Sequence, residues 1–437
     1  MGIKASSLAA STDFAGELTL AVLQQQNEQY RGSGGVSDGN RSLGFRPAFY
    51  DMDTGQVHPS RFANGLEAPM HVLDGLPDDL VVVRLESGRV TAVKPGVVAG
   101  FVRNGHFFTR GQAALATAQL KDDSQRLSNP DHHRALLDIW ERFVRDPQYS
   151  SEMVRPVVEE SWRRCHCQVD PELREAPLLA DAQELESRRL RQSALLDAAA
   201  PVLKRAGELL FKADSLVLLA DADGCVMDVE GDPNLRNLAG KVNLVEGARW
   251  DESSVGTNAI GTALAAAEPV QLFGAEHFCS GIKQYTCSAD VVRDPHDGRI
   301  LGVVDLSART RNFQRHTLDF AITAARLIES SLARAYFACR EDVLEGSRTQ
   351  FLNWQSDGLL AFDRRGRLVK ANRLAHRALE ELGADVALTP QTRIDALDLE
   401  QGDGSSSVPA WLNPLWHQPI LLRKRTVGTL VVVPCHH

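Results

Sequence analysis

The 437-residue sequence contains no apolar run approaching the roughly 18 residues that a membrane span requires. Its first residues carry Lys4 but neither the continuous apolar stretch nor the small-residue cleavage site of a secretory leader. No Cys-x-x-Cys pair occurs, and the seven cysteines are irregularly spaced, which suits a reducing compartment better than a disulfide framework. The cytoplasm is therefore the expected location. Positive charge is outweighed, 48 Lys and Arg against 57 Asp and Glu: the net charge of −9 argues against a broad nucleic-acid surface, which needs clustered Lys and Arg. No helix-turn-helix pattern is found. A glycine-rich loop ending in Gly-Lys-Ser/Thr, the usual phosphate cradle, is missing too.

What is present is ordinary for a globular protein, 43% hydrophobic and 24% charged. The length suggests about three domains, and the texture predicts an α+β multidomain chain. Residues 1–43 read as a flexible lead-in: a short helix over Glu17 to Gln29, then the polar run Arg31-Gly-Ser-Gly-Gly-Val-Ser-Asp-Gly-Asn40. Residues 44–119 read as a small β-rich module of unknown role. Its strands Leu80 to Leu85 and Arg89 to Val93 are punctuated by Asp74-Gly75 and Ser87-Gly88. The string Phe49-Tyr-Asp-Met-Asp-Thr-Gly-Gln-Val57 is a strand–turn–strand; a protease built on Asp-Thr-Gly would need a second carboxylate sharing its proton, and none is indicated.

Residues 131–207 read as a helical connector and candidate dimer surface, with Leu136, Ile139, Trp140 and Phe143 at helical spacing. Val154, Val157, Val158 and Trp162 continue the pattern, and a charged helix is expected over Asp181 to Arg205. In residues 208–340, Leu216 to Ala220, the turn Asp221-Ala-Asp-Gly224 and Cys225 to Val229 form a hairpin. Ile300 to Leu306 is a central strand, and a helix closes the block from Gln314 to about Arg340. Residues 345–437 offer a second strand–turn–strand over Asp357 to Asn372, a helix over Arg373 to Leu382, and strands at Pro419 to Arg423 and Gly428 to Val433.

The string Trp250-Asp-Glu-Ser-Ser-Val-Gly-Thr-Asn-Ala-Ile-Gly-Thr-Ala-Leu264 resembles the GAF domain of acetoin- and glycerol-type sigma-54-dependent activators. Glu268-Pro-Val270, Gly274-Ala-Glu-His-Phe278, Tyr285-Thr-Cys-Ser-Ala289 and Gly302-Val-Val-Asp-Leu-Ser307 follow in that family's order. Upstream, Glu160-Ser-Trp-Arg-Arg-Cys165 resembles the short helix before the same domain, and Asp357 to Asn372 resembles the start of a PAS domain. The resemblance implies a GAF sensor over 208–340 and a PAS-like domain over 345–437. The PAS-like segment lacks a haem-ligand or flavin-cysteine signature, so no cofactor is expected.

Independently of the resemblance, Gly256, Gly261 and Gly274 permit tight turns, and Thr257, Asn258 and Thr262 offer short polar contacts for a small metabolite. Thr257 also suits an N-cap for a helix from Asn258 to Ala266. Trp250, Phe278 and Tyr285 fit either cavity walls or core. His277 sits before a loop beside Glu276, and Asp305, a carboxylate inside an apolar strand, needs a partner. The expected ligand-binding set is Trp250, Thr257, Asn258, Thr262, His277, Tyr285, Cys287 and Asp305, with no catalytic and no metal residues. The rival is a thiol redox or metal sensor, or a methionine-sulfoxide-reductase-like enzyme, using Cys279 and Cys287 with His277. Cys165-x-Cys167 is too isolated for a tetrahedral zinc site. The resemblance further implies an ATPase and a DNA reader that this sequence lacks. It is therefore read as a ligand-sensing regulator of a catabolic pathway: a piece of a longer protein, a stand-alone sensor, or a homodimer acting through a transcriptional partner protein.

Overall fold

Runs apolar on both faces become central strands, and alternating runs become half-buried ones. The computed structural model describes residues 4–5 and 17–435 apart from 64, 66, 104–105, 128–129, 180, 212, 313–315, 355, 385, 387, 390, 401–407 and 410. The chain divides into two units, the first comprising 1–182, 201–292 and 302–326 and the second 183–200, 293–301 and 327–437.

In the first unit, β1 (Lys4–Ala5), β2 (Leu18–Thr19), α1 (Leu20–Gln29) and α2 (Ser37–Asn40) precede β3 (Arg46–Asp51) and β4 (Val57–Pro59). Then come β5 (Val81–Arg84), β6 (Val90–Val93), β7 (Val97–Arg103) and β8 (His106–Thr109). They form a five-stranded sheet, β1-β8-β7-β3-β4, and a three-stranded one, β2-β6-β5. Residues 17–43 are not the flexible lead-in that composition suggests. Leu18 and Leu23 enter the core with Phe49, Leu73, Leu80 and Val93, and Asn40 is fully buried. The glycines serve close approach: a Cβ on Gly34 would lie 2.1 Å from Thr117 Oγ1.

Helices α3 (Arg110–Leu127), α4 (Pro130–Arg145) and α5 (Pro156–Cys165) follow, then α6 (Ala182–Arg191) and α7 (Ser193–Leu210), which interrupt at Gln192 what the sequence suggested as one helix. β9 (Ser215–Asp221) is buried along its whole length and pairs with β10 (Val226–Gly231). The turn is closed by Asp221, whose carboxylate accepts from Asp223 N at 3.0 Å and Cys225 N at 2.9 Å, with Gly224 at φ +79. α8 (Pro233–Ala239), α9 (Glu252–Val255) and α10 (Ala259–Ala266) lead to β11 (Val270–Phe273), β12 (Tyr285–Arg293) and β13 (Ile300–Arg309). The sheet order is β10-β9-β13-β12-β11.

Helix α11 (Thr317–Asn353) runs 37 residues, well past the expected end near Arg340. Val343 and Ser347 are buried, and the Ser347 hydroxyl donates back to Val343 O at 2.7 Å, so burial carries the helix across the expected 340–345 boundary. In the second unit, β14 (Gly358–Asp363), β15 (Arg365–Ala371), α12 (Arg373–Glu381), β16 (Arg393–Asp398), β17 (His417–Leu422) and β18 (Arg425–Val433) form the sheet β16-β15-β14-β18-β17. Asn372 caps α12 through Ala375 N at 2.9 Å while accepting from Leu359 N at 2.9 Å. The buried Asp294 carboxylate is held by Arg393 at 2.6 Å and Arg367 at 3.6 Å, and Arg367 also reaches Asp363 at 2.7 Å.

Candidate functional site

The period of two along a strand puts alternate side chains on one face. Tyr285 and Cys287 on β12, and Asp305 and Ser307 on β13, all face one cavity. Asn258, which caps α10, and His277, from the loop after β11, complete its polar lining. Leu244, Trp250, Ile260 and Ile282 supply apolar wall. The cavity is narrow, with a volume of about 10 Å³. That is room for about one water molecule, so a larger occupant has to widen the cavity as it binds.

The polar groups divide into satisfied and unsatisfied. Asn258 is spent on its cap, accepting from Gly261 N at 3.0 Å and donating to Gly256 O at 2.8 Å. Gly256 has φ +70, and a Cβ there would meet Phe278 at 2.8 Å. Trp250 Nε1 donates to Asn243 O at 3.1 Å, which leaves its ring as wall. The Ser307 hydroxyl lies 2.6 Å from Asp305 Oδ2, to which it donates, and 3.1 Å from Cys287 Sγ. By contrast, His277 Nε2, Tyr285 OH and Asp305 Oδ1 are buried with no hydrogen-bond partner among the described residues.

Burial disfavours the charged form of each of these groups. It lowers His277 to about 4, and with Nδ1–H donating to Gly274 O at 3.1 Å, Nε2 is left as an acceptor. It lifts Tyr285 to about 12, leaving a phenolic donor. Asp305 rises to about 7, again through burial, against the Ser307 hydrogen bond. Cys287 is pushed well above its usual value by burial and then by Asp305. The site presents hydrogen-bonding capacity of both kinds and no fixed charge.

Of the eight expected residues, Trp250, Asn258, His277, Tyr285, Cys287 and Asp305 line this cavity, whereas Thr257 and Thr262 do not. Their hydroxyls lie 2.7 and 3.2 Å from Ser161 Oγ on α5. The N-cap is Asn258 rather than Thr257. Phe278 is wholly buried and packs beneath Gly256. Cys279 lies outside the lining; its thiol donates to Val255 O at 3.0 Å and burial pushes it up to about 12. Thiols so raised hold little thiolate, and among the described residues no group of three or more His, Cys, Asp and Glu is placed to hold a metal.

Sequence reasoning missed the brace behind the cavity. Arg155, at the start of α5, grips Glu276 through Nε at 2.8 Å and Nη2 at 2.6 Å, and Trp162 Nε1 donates to Glu276 O at 2.7 Å. Arg164 pairs with Glu252 at 2.6 Å. Lys283 donates to Ala275 O at 3.1 Å and to His277 O, and lies 3.8 Å from the centre of the Trp140 ring of α4. Burial draws this amine down to about 7. The helices α4 and α5 thus contact the loop that presents His277. Ser307 was legible in the quoted Gly302 to Ser307 motif, because it shares the face of Asp305.

Residues 134–330 match the family described as MimR, N-terminal domain. The acetoin dehydrogenase operon transcriptional activator AcoR of Bacillus subtilis (strain 168) is 36% identical over 198 residues, 45% of this chain and 33% of that protein. The propane 2-monooxygenase operon transcriptional activator MimR of Mycolicibacterium goodii is 31% identical over 250 residues, 57% of this chain and 41% of that protein. A solved structure of the E. coli DhaR(N)-DhaL complex superposes over 64% of this chain and 100% of that one, with TM-score 0.44 and 19% identity. The chain resembles the N-terminal region of acetoin-, propane- and glycerol-operon regulators, and these relatives are transcriptional regulators rather than enzymes. The chain covers 33% and 41% of the length of the two activators above.

Proposed function

We propose that this chain is the sensing part of a transcriptional regulator, with residues 215–309 forming a GAF-type domain that binds a small uncharged metabolite. The observation that carries this reading is the convergence of three unpartnered buried polar atoms, His277 Nε2, Tyr285 OH and Asp305 Oδ1, on one apolar-walled cavity. Leaving such atoms unsatisfied is costly, and a small hydroxyl- or carbonyl-bearing ligand relieves the cost. The names of the relatives point to acetoin, propane and glycerol metabolism, which fits a neutral ligand.

Binding favours one arrangement of the His277 loop, and the Arg155–Glu276 brace passes it to α5; differential affinity for two arrangements is what makes this a signal. The sheet over 358–433 serves as a PAS-like module for dimerisation, and output goes through sigma-54 machinery on a further domain or a transcriptional partner protein. Among the described residues no helix is long and apolar enough to cross a membrane; a cytoplasmic homodimer is the proposed state.

The test is a thermal-shift screen of the whole chain with acetoin, glycerol and 1,2-propanediol, followed by calorimetric titration. At least one compound raises the melting temperature, and Tyr285→Phe weakens its binding roughly five- to tenfold, the worth of one hydrogen bond. If none of the compounds binds, or if the tightest binds Tyr285→Phe equally well, this reading is wrong.

A further inference from the structure

A second polar cluster lies in the N-terminal module, on residues that do not line this cavity. Arg110, the first residue of α3, is 3% exposed. Its Nη1 donates to Gly35 O at 3.0 Å and its Nη2 to His71 Nδ1 at 3.1 Å. The guanidinium carbon lies 5.9 Å from the centre of the Phe101 ring. His71 Nε2 donates to Gly100 O at 2.6 Å, which fixes the tautomer and leaves Nδ1 as a lone-pair acceptor. Burial and the neighbouring guanidinium hold His71 down to about 3, so it is neutral. Every partner of Arg110 is therefore uncharged. Among the described residues no carboxylate pairs with it, and its Nε–H has no acceptor.

Two further orphans belong to the same cluster. Thr117, two turns along α3 and 2% exposed, has an unpartnered hydroxyl. Asn40, fully buried, donates Nδ2 to Gly34 O at 2.6 Å and leaves Oδ1 unpartnered. The Gly-rich segment joins them. A Cβ on Gly34 would lie 2.1 Å from Thr117 Oγ1, and one on Gly35 would lie 2.5 Å from the Tyr30 ring. The cap of α3 is already made by Thr109 and Gln112, which bond each other reciprocally at 2.9 and 3.3 Å, so the free donors belong to side chains.

An isolated buried cation is strongly unfavourable, and an anion is what compensates it. A guanidinium whose Nε–H is open offers the edge that a planar carboxylate engages. We propose that Arg110, Thr117 and Asn40, under the glycine-rich turn 31–40, form a binding site for a small carboxylate. Arg110 Nε and the Thr117 hydroxyl donate to it, and Asn40 Oδ1 favours a carboxylate that also carries a hydroxyl. This site is independent of the proposed GAF cavity and takes the opposite class of ligand, an anion.

The probes are acetate and glycolate, titrated into the whole chain at constant ionic strength against chloride. The expected result is a saturable rise in melting temperature of roughly 2–4 °C, larger for glycolate, with a matching movement of the Arg110 Nε–H resonance in a ¹⁵N spectrum. Arg110→Gln abolishes both responses, and Thr117→Val weakens them. The wild-type resonance decides the matter even if Arg110→Gln does not fold. Chloride moving the resonance as far as acetate, or no movement with either carboxylate, overturns the proposal.

Discussion

At the scale of single residues, the cavity sets two titrations against each other. Asp305 holds its proton in the folded chain up to about 7, whereas its ordinary value is 3.8. The folded state therefore binds the extra proton between those values. The stability this confers is full below 3.8 and is lost as pH rises through 7. His277, lowered to about 4 from 6.5, has the opposite sign: its contribution is present above 6.5 and lost as pH falls through 4. The two slopes largely cancel in the wild type between pH 4 and 6.5. Comparison with Asp305→Asn isolates one of them. Relative to that variant, the wild type is expected to lose about 1.4 kcal/mol per pH unit from pH 4 to 7, measured by urea unfolding across that range. A constant difference between the two proteins would place Asp305 in a polar, solvated setting instead.

At the scale of elements, what was legible were the pieces with strong local signals. The hairpin at Asp221–Gly224 and strands β9, β13 and β18 follow from apolar runs bounded by turn residues. β16 was not legible: Ile394 and Leu397 are its buried residues, three apart, and its register slips against β15, so no period of two is left to read. The polar, glycine-rich run 31–40 misled for the opposite reason, since its small residues mark close packing rather than freedom. The cavity lining was largely visible because motif residues fall on alternate strand positions. The Arg155–Glu276 brace was hidden, because its partners stand 121 positions apart and neither carries a local signature. Glu276→Gln removes the buried carboxylate that Arg155 grips at 2.8 and 2.6 Å and is expected to cost about 3 kcal/mol in urea unfolding. On the proposed function it also weakens ligand binding by loosening the His277 loop. Equal stability of the variant would reduce the brace to a surface contact.

At the scale of the whole molecule, α11 runs unbroken through residues 340–345, between the domain bounds expected from sequence. Limited trypsin digestion is expected to spare Arg334, Arg340 and Arg348, whose backbone is held in helix, and to cut sooner at the turn Arg423–Lys424, where both residues have positive φ. Early cleavage at Arg340 would contradict the continuity of this helix. The neutrality of the cavity has a consequence for regulation as well. Alcohols and ketones can enter a site whose His277, Tyr285, Cys287 and Asp305 are uncharged near pH 6, but the carboxylic acids formed by their further oxidation arrive as anions and meet no cation in the lining. On the proposed function, this cavity reads the supply of a fuel and does not register its oxidised end products, so accumulating acid neither mimics the inducer nor competes with it there.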